Sequence, residues 1–280
     1  MIGEDVMDLN SVVKDCQSVI EHVLEKIRSK RKIETFDIAI LGLLISQRNK
    51  ADSINILFEN SKYSEIPILY RTFFEQEMYL KFIFQKNTIE RAKVFYLHEK
   101  YLNVTKTDNI IKSLGKDSKK ALHLKAIVDQ KIKEDNSNFN NFEELYKDRC
   151  ERYEKYFKGI EKKKIRKKSW YSFENKSISN MKNLMKSLGS GEFYDGTYGL
   201  SSDAVHGSNA PGILKLVDID KEKSIGNLTE SVPIPEWVLE NIRSALYLEL
   251  IEFIKFYKID KDKDMRSLKA KIEINTLLQH

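Results

Sequence analysis

The segment "ILYRTFFEQEMYLKFIF", residues 68–84, is apolar almost all the way round a helix. A helix of that kind is stable only when other elements cover it, so the rest of the chain must wrap it. Pro67 stands just ahead, in the first turn where a helix tolerates proline best. Periodicity supplies a covering element: Val12, Val13, Cys16, Val19, Ile20, Val23, Leu24 and Ile27 recur at the 3.6-residue spacing across Ser11–Lys30. Breakers are scarce, with 11 Gly and 4 Pro in 280 residues, a balance that favours long helices and short turns over a sandwich of strands. An all-α bundle is the expected fold class.

A second helical stretch starts at Thr35, an N-cap type of residue, and continues toward Asn60 with a break expected in its middle. Further helical patterns cover Thr88–Leu114, Ser118–Glu134 and Asn141–Ile160, the last two rich in charge and so expected at the periphery. The segment Asn209–Pro235 holds three of the four prolines and reads as a loop with a short strand pair near "ILKLVDI". Pro235 opens a last long helix, "EWVLENIRSALYLELIEFIKFYK", and the tail from Ile259 adds one more. The organisation expected is a single helical domain, residues 1–280, with a bundle core over 35–115 and 170–258 and a charged helical excursion over 116–168. Its central helices are Ile66–Phe84, Tyr198–Ser208 and Pro235–Lys258.

Cys16 and Cys150 lie far apart with no CxxC pair, which suits a reducing compartment. "MIGEDVMDLNSVV" carries acids where a secretory signal carries bases. The longest apolar run, "IAILGLLI" at Ile38–Ile45, is far short of the roughly 20 residues that cross a bilayer. A cytoplasmic protein with no membrane partner is expected. The chain has no HExxH helix, Walker A loop, GxGxxG turn or GxSxG elbow, so classical metal, nucleotide and dinucleotide chemistries are disfavoured, and neither cofactor nor metal is expected.

Three constellations are candidate sites. With 100° per residue, Arg71, Glu75, Met78 and Phe82 form one stripe of the central helix, while Glu77 and Lys81 are expected on a face better placed for solvent. An Arg and a Glu within an apolar stripe need partners, because burying an unpaired charge is costly; a structural ion pair and an anion-binding cleft both stay open. In "YGLSSDAVHGS", Tyr198, Ser202 and His206 fall at i, i+4 and i+8, about 80° of one helix face, just before Gly207. A histidine there can serve as general acid/base with a neighbouring hydroxyl, or close the helix C-terminus, where a positive charge meets the dipole. The run "EKKKIRKK" brings Lys162, Lys163, Lys164, Arg166, Lys167 and Lys168, suited to a phosphate backbone or to a solvated linker.

Taken in order, "ILYRTFFEQEMYLKFI", "SWYSFENKSISNMKNLMKSLG" and "YGLSSDAVHGS" resemble domain of unknown function family 5677, a mostly bacterial helical group, over Gln47–Ser208. The resemblance joins Arg71, Glu75, Trp170, Tyr198, Ser202, His206 and Gly207 in one pattern, and implies a site more than a reaction. A wider similarity is to HEPN helical domains, several of which are dimeric ribonucleases of toxin and phage-defence systems. It implies an HEPN-like bundle with a charged helical insertion and a homodimer. "SSDAVHG" is similar to the second half of the HEPN motif, but Ser201 stands five before His206 where that motif has Arg. Arg71 would then have to bring the positive charge from the central helix.

Three functions follow. One is a binding or regulatory module built on Arg71, Glu75, Tyr198, Ser202 and His206, with RNA or a small anionic ligand as partner. Another is a metal-independent ribonuclease with His206 as general acid/base and Ser202 and Arg71 beside it. The third is a small-molecule hydrolase or transferase using Ser202 and His206. Whether the chain is an enzyme stays open on the residues alone.

Overall fold

Asp8 caps the first helix, α1 (Leu9–Lys30), by accepting from the Asn10 amide at 3.2 Å, and the periodic residues from Val12 to Ile27 then turn inward. The second, α2 (Thr35–Glu59), starts from a reciprocal cap in which the Glu34 amide donates to Asp37 at 2.8 Å. Burial alone would raise the Asp37 carboxyl, but the Arg31 fork at 2.5 and 2.8 Å and the Tyr257 hydroxyl at 3.0 Å hold it below the usual range. Contrary to expectation, α2 is unbroken. Gly42 sits at an exposed position between buried Leu41 and Leu43, so the helix loses no packing there and continues through it.

The central segment forms α3 (Ile66–Gln85), with Pro67 in its first turn and Phe73, Met78, Phe82 and Ile83 fully buried. Burial of side chains this size contributes roughly 1.5–3 kcal/mol each. The later helices are α4 (Thr88–Ser113), α5 (Lys119–Glu134), α6 (Phe142–Glu154), α7 (Lys162–Ile165) and α8 (Met181–Ser187). Strands β1 (Leu214–Ile219) and β2 (Glu222–Leu228) pair antiparallel, with Leu216 opposite Ile225, and α9 (Trp237–Tyr257) and α10 (Lys263–Leu277) complete the order.

The computed structural model describes residues 8–135, 138–192, 194, 214–219, 222–228, 237–260 and 262–277. The helix expected over Tyr198–Ser208 lies outside them, and with it Tyr198, Ser202, His206 and Gly207. The chain divides into a bundle unit, Met1–Lys86 with Met181–His280, and a second unit, Asn87–Asn180. Helices carry the cores of both, so the fold is all-α with one hairpin. No helix among the described residues is long and apolar enough to cross a membrane.

In the bundle unit, α1 packs on α2, α2 on α3, and α9 closes the ring by touching all three. Phe256 of α9 meets Phe36 of α2 at 6.2 Å and Phe84 of α3 at 6.0 Å, both edge to face. The tail helix α10 is pinned to α1 by polar clamps, Lys271 on Asp15 at 2.7 Å and Asp262 on Lys26 at 2.8 Å.

In the second unit, α4 lies along α6. Tyr153 stacks between Tyr101 at 4.7 Å and Phe157 at 5.1 Å and meets His98 at 3.0 Å. Trp170, in a 3-10 turn over Trp170–Phe173, packs edge-on against Phe95 at 5.1 Å. Arg91, 1% exposed, pairs with Glu174 at 2.6 Å and fastens the start of α4 to the chain beyond that turn. Ser118 caps α5, whose charge-rich surface buries only Ala121 and Ile132.

Candidate functional site

On α3, Arg71 and Glu75 form an ion pair at 3.5 Å, with side chains 17% and 27% exposed. They are half-buried, and the deeper charge on the helix is Glu77, which the sequence pattern assigns to solvent. Glu77 is buried and bonded to Lys81 at 2.6 Å. The pattern misleads because α3 is covered by α2 and also by α9, so more than its apolar stripe is shielded.

Across from α3, Gln47 of α2 donates its amide to Glu249 of α9 at 2.9 Å, with both side chains buried. Burial pushes the Glu249 carboxyl well above the ordinary carboxylate range, the Glu77 charge adds to this, and Gln47 and Lys81 oppose it. Gln47 Oε1 and Glu249 Oε2 are buried without a hydrogen-bond partner among the described residues. One proton satisfies both: the neutral acid can donate to the amide oxygen while the amide donates back. Burial, with Glu249 and Asp15 reinforcing it, also pushes the Cys16 thiol up and keeps it inert. These groups belong to the bundle interior.

The basic run has a different setting. It makes one helical turn, α7, anchored by buried Ile165, while the cations radiate outward. Arg166 donates to the Tyr146 hydroxyl at 2.6 Å and lies 3.9 Å from Asp108, Lys162 meets Glu154 at 3.3 Å, and Lys164 meets Glu161 at 3.0 Å. Between the run and its neighbours is a cavity of about 600 Å³. One wall is the α6 face of Tyr146, Lys147, Cys150, Glu151 and Glu154; the others are Lys112 of α4 and Lys162, Lys163 and Arg166. Burial raises the Cys150 thiol above its ordinary range, although Tyr146 and Arg166 work against it.

Five cations thus face two carboxylates around one cavity. Charge in the whole chain is divided the same way. Asn87–Asn180 holds 23 Lys and Arg against 14 Asp and Glu, a net +9, and the rest of the chain nets −3 of the total +6.

The structure therefore places Lys162, Lys163 and Arg166 in the cavity wall, Lys164, Lys167 and Lys168 off it, and Arg71 with Glu75 on α3. Trp170 is a buried packing residue of the second unit. Sequence reading does not reach Lys112, Tyr146, Lys147, Cys150 or the Gln47–Glu249 pair. The one signal for the α6 residues is the four-residue step Tyr146, Cys150, Glu154 with Lys147 and Glu151 beside it.

No curated protein and no solved structure matches the chain. A family does, over residues 37–224, a span that runs past both ends of Gln47–Ser208 and takes in Arg71, Glu75, the basic cavity and His206. That is about two thirds of the 280 residues, and the chain belongs to the family of unknown function DUF5677.

Proposed function

We propose that this protein binds RNA, with Asn87–Asn180 gripping the phosphate backbone. The observation behind the reading is the concentration of net +9 charge in that unit, with five cations around one cavity. Lys and Arg contacts to phosphate supply most of the affinity in sequence-independent binding, and each releases counterions. Lys164 and Lys167 stand exposed beside the cavity, with Lys168 half-buried next to them, where a strand leaving it would pass.

The test is fluorescence anisotropy of a short single-stranded RNA over a salt series. Affinity falls with salt, at a slope of about −0.7 per phosphate contact. A Lys164→Glu, Lys167→Glu, Lys168→Glu triple variant binds more weakly with a slope shallower by about 2. Binding that ignores salt, or a triple variant indistinguishable from the parent, rejects the reading.

A second reading, metal-independent cleavage of HEPN-like type with His206 as general acid/base and Ser202 beside it, is favoured by the setting of Arg71. Its guanidinium is partly exposed and oriented by Glu75, as a cation stabilising phosphate charge must be. Cellular RNA incubated with EDTA would be cut by the parent and left whole by His206→Ala and Arg71→Ala variants of unchanged melting temperature. RNA left whole by the parent rejects it.

A further inference from the structure

We infer that the cavity between α4, α6 and α7 seats a single nucleotide of the bound RNA, its phosphate at the Arg166 end and its nucleoside toward Glu151. This rests on the RNA reading above and adds the form in which the strand is held.

The cavity is polarised along α6. Tyr146 and Lys147 stand at one end and Glu154 two turns on, about 12 Å along the axis. Arg166 bonds the Tyr146 hydroxyl, so it belongs to the first end; Lys112 joins it there, since its partner Asp108 also approaches Arg166. Lys162 belongs to the other end through Glu154, with Glu151 between. Even with Asp108 between Lys112 and Arg166, the end with Lys147 keeps more cations than carboxylates and draws phosphate, which Glu151 and Glu154 repel at the other. The carboxylates accept hydrogen bonds from hydroxyl and amino groups, which a nucleoside offers and a bare phosphate does not. A volume of about 600 Å³ suits a molecule of that size.

Tyr101 is a buried neighbour of Arg166 that does not itself line the cavity. It is 1% exposed, and its neighbours Cys150, Arg166 and Glu154 all line the cavity. Burial pushes the Tyr101 phenol up to about 12, so it stays protonated and adds no negative charge behind the cavity wall. Tyr146 holds the Arg166 fork in place beforehand, the condition under which a guanidinium grips phosphate with two bonds. Glu151, an acceptor at the nucleoside end, can accept a hydrogen bond from the 2′-hydroxyl and so favours RNA over DNA.

The probe is adenosine 5′-monophosphate, followed by calorimetry and by the rate at which iodoacetamide alkylates Cys150 on the cavity wall, with fully buried Cys16 as the unreactive reference. The nucleotide binds and slows Cys150 alkylation, more than inorganic phosphate does. Arg166→Ala loses roughly tenfold in affinity, and Glu151→Gln narrows the preference over the 2′-deoxynucleotide. Inorganic phosphate protecting Cys150 as well as the nucleotide does overturns the inference in favour of a plain anion site. RNA binding that survives Arg166→Ala but not the Lys164, Lys167, Lys168 triple change overturns it while leaving the RNA reading intact. RNA binding that survives both overturns the inference as well, because the RNA is then held away from this cavity and its basic run.

Discussion

Replacing Glu249 by glutamine isolates the buried acid of the bundle. A carboxyl whose folded-state pKa lies above its unfolded value of about 4.3 holds a proton more tightly when folded. Its stabilisation is complete below that unfolded value and is lost as pH rises toward the folded one. The slope is about 1.4 kcal/mol for each pH unit over which the folded acid stays protonated. At 3% exposure Glu249 is shielded enough for that slope to apply without a discount for solvent. Glutamine preserves the shape and both bonds to Gln47, accepting through its oxygen and donating through its amide, and it has no proton to lose. Urea unfolding of parent and Glu249→Gln should therefore agree at about pH 4 and separate as pH rises above the unfolded value of about 4.3, the variant becoming the more stable of the two. Other titrating groups are common to both proteins and cancel in the difference. Leucine at the same position would strand the Gln47 amide and cost about 1–3 kcal/mol at every pH. Parallel pH profiles for parent and Glu249→Gln would refute the assignment of a neutral acid to this site.

Three further outcomes are expected. Burial, with Lys106 adding, lowers His98 to about 4, so the second unit is most stable above about pH 6.5 and loses up to about 3 kcal/mol as pH falls toward the folded value; His98→Phe should flatten that acid limb, and imidazole NMR should titrate near 4. Arg91→Met takes the buried cation from Glu174, which keeps its bond from the Asn87 amide, and should cost about 3 kcal/mol by chemical denaturation of the second unit, while a loss under about 1 kcal/mol would mean that water reaches the pair. Gly42→Ala should raise stability by about 0.5–1 kcal/mol, because a Cβ there meets nothing within 4 Å on an exposed helical position.

Periodicity reveals the helices because each one has to hide an apolar face, and that requirement is local. The stripe of α1 and the all-round apolarity of α3 are therefore visible before folding. What covers a helix is a long-range matter, which is why Glu77 reads as solvent-facing on α3 and turns out buried beneath α9. The break expected in the middle of α2 errs in the opposite direction, since the helix runs on from Thr35 to Glu59, through Gly42, under the cover of α1 and α3. The basic run is conspicuous as six cations in seven residues, yet a cavity needs opposing walls. Lys112, Tyr146 and Cys150 come from elements some 15–55 positions away, and no spacing rule spans such distances. Gln47 and Glu249, 202 residues apart, are legible only as an unexplained acid on a buried helix.

The order in which the bundle's helices occur in the chain governs when it can close. α1, α2 and α3 are complete by Gln85, but α9, which touches all three, ends only at Tyr257. At ribosomal speeds of about 5–20 residues per second, those three helices wait roughly 10 to 30 s with one side uncovered. Asn87–Asn180 is a single uninterrupted stretch, needs no later segment for its own contacts, and emerges during the wait. A nascent chain halted between Asn180 and α9 should accordingly carry a folded basic unit and an uncovered layer of three helices, the natural client of a chaperone that recognises exposed apolar surface.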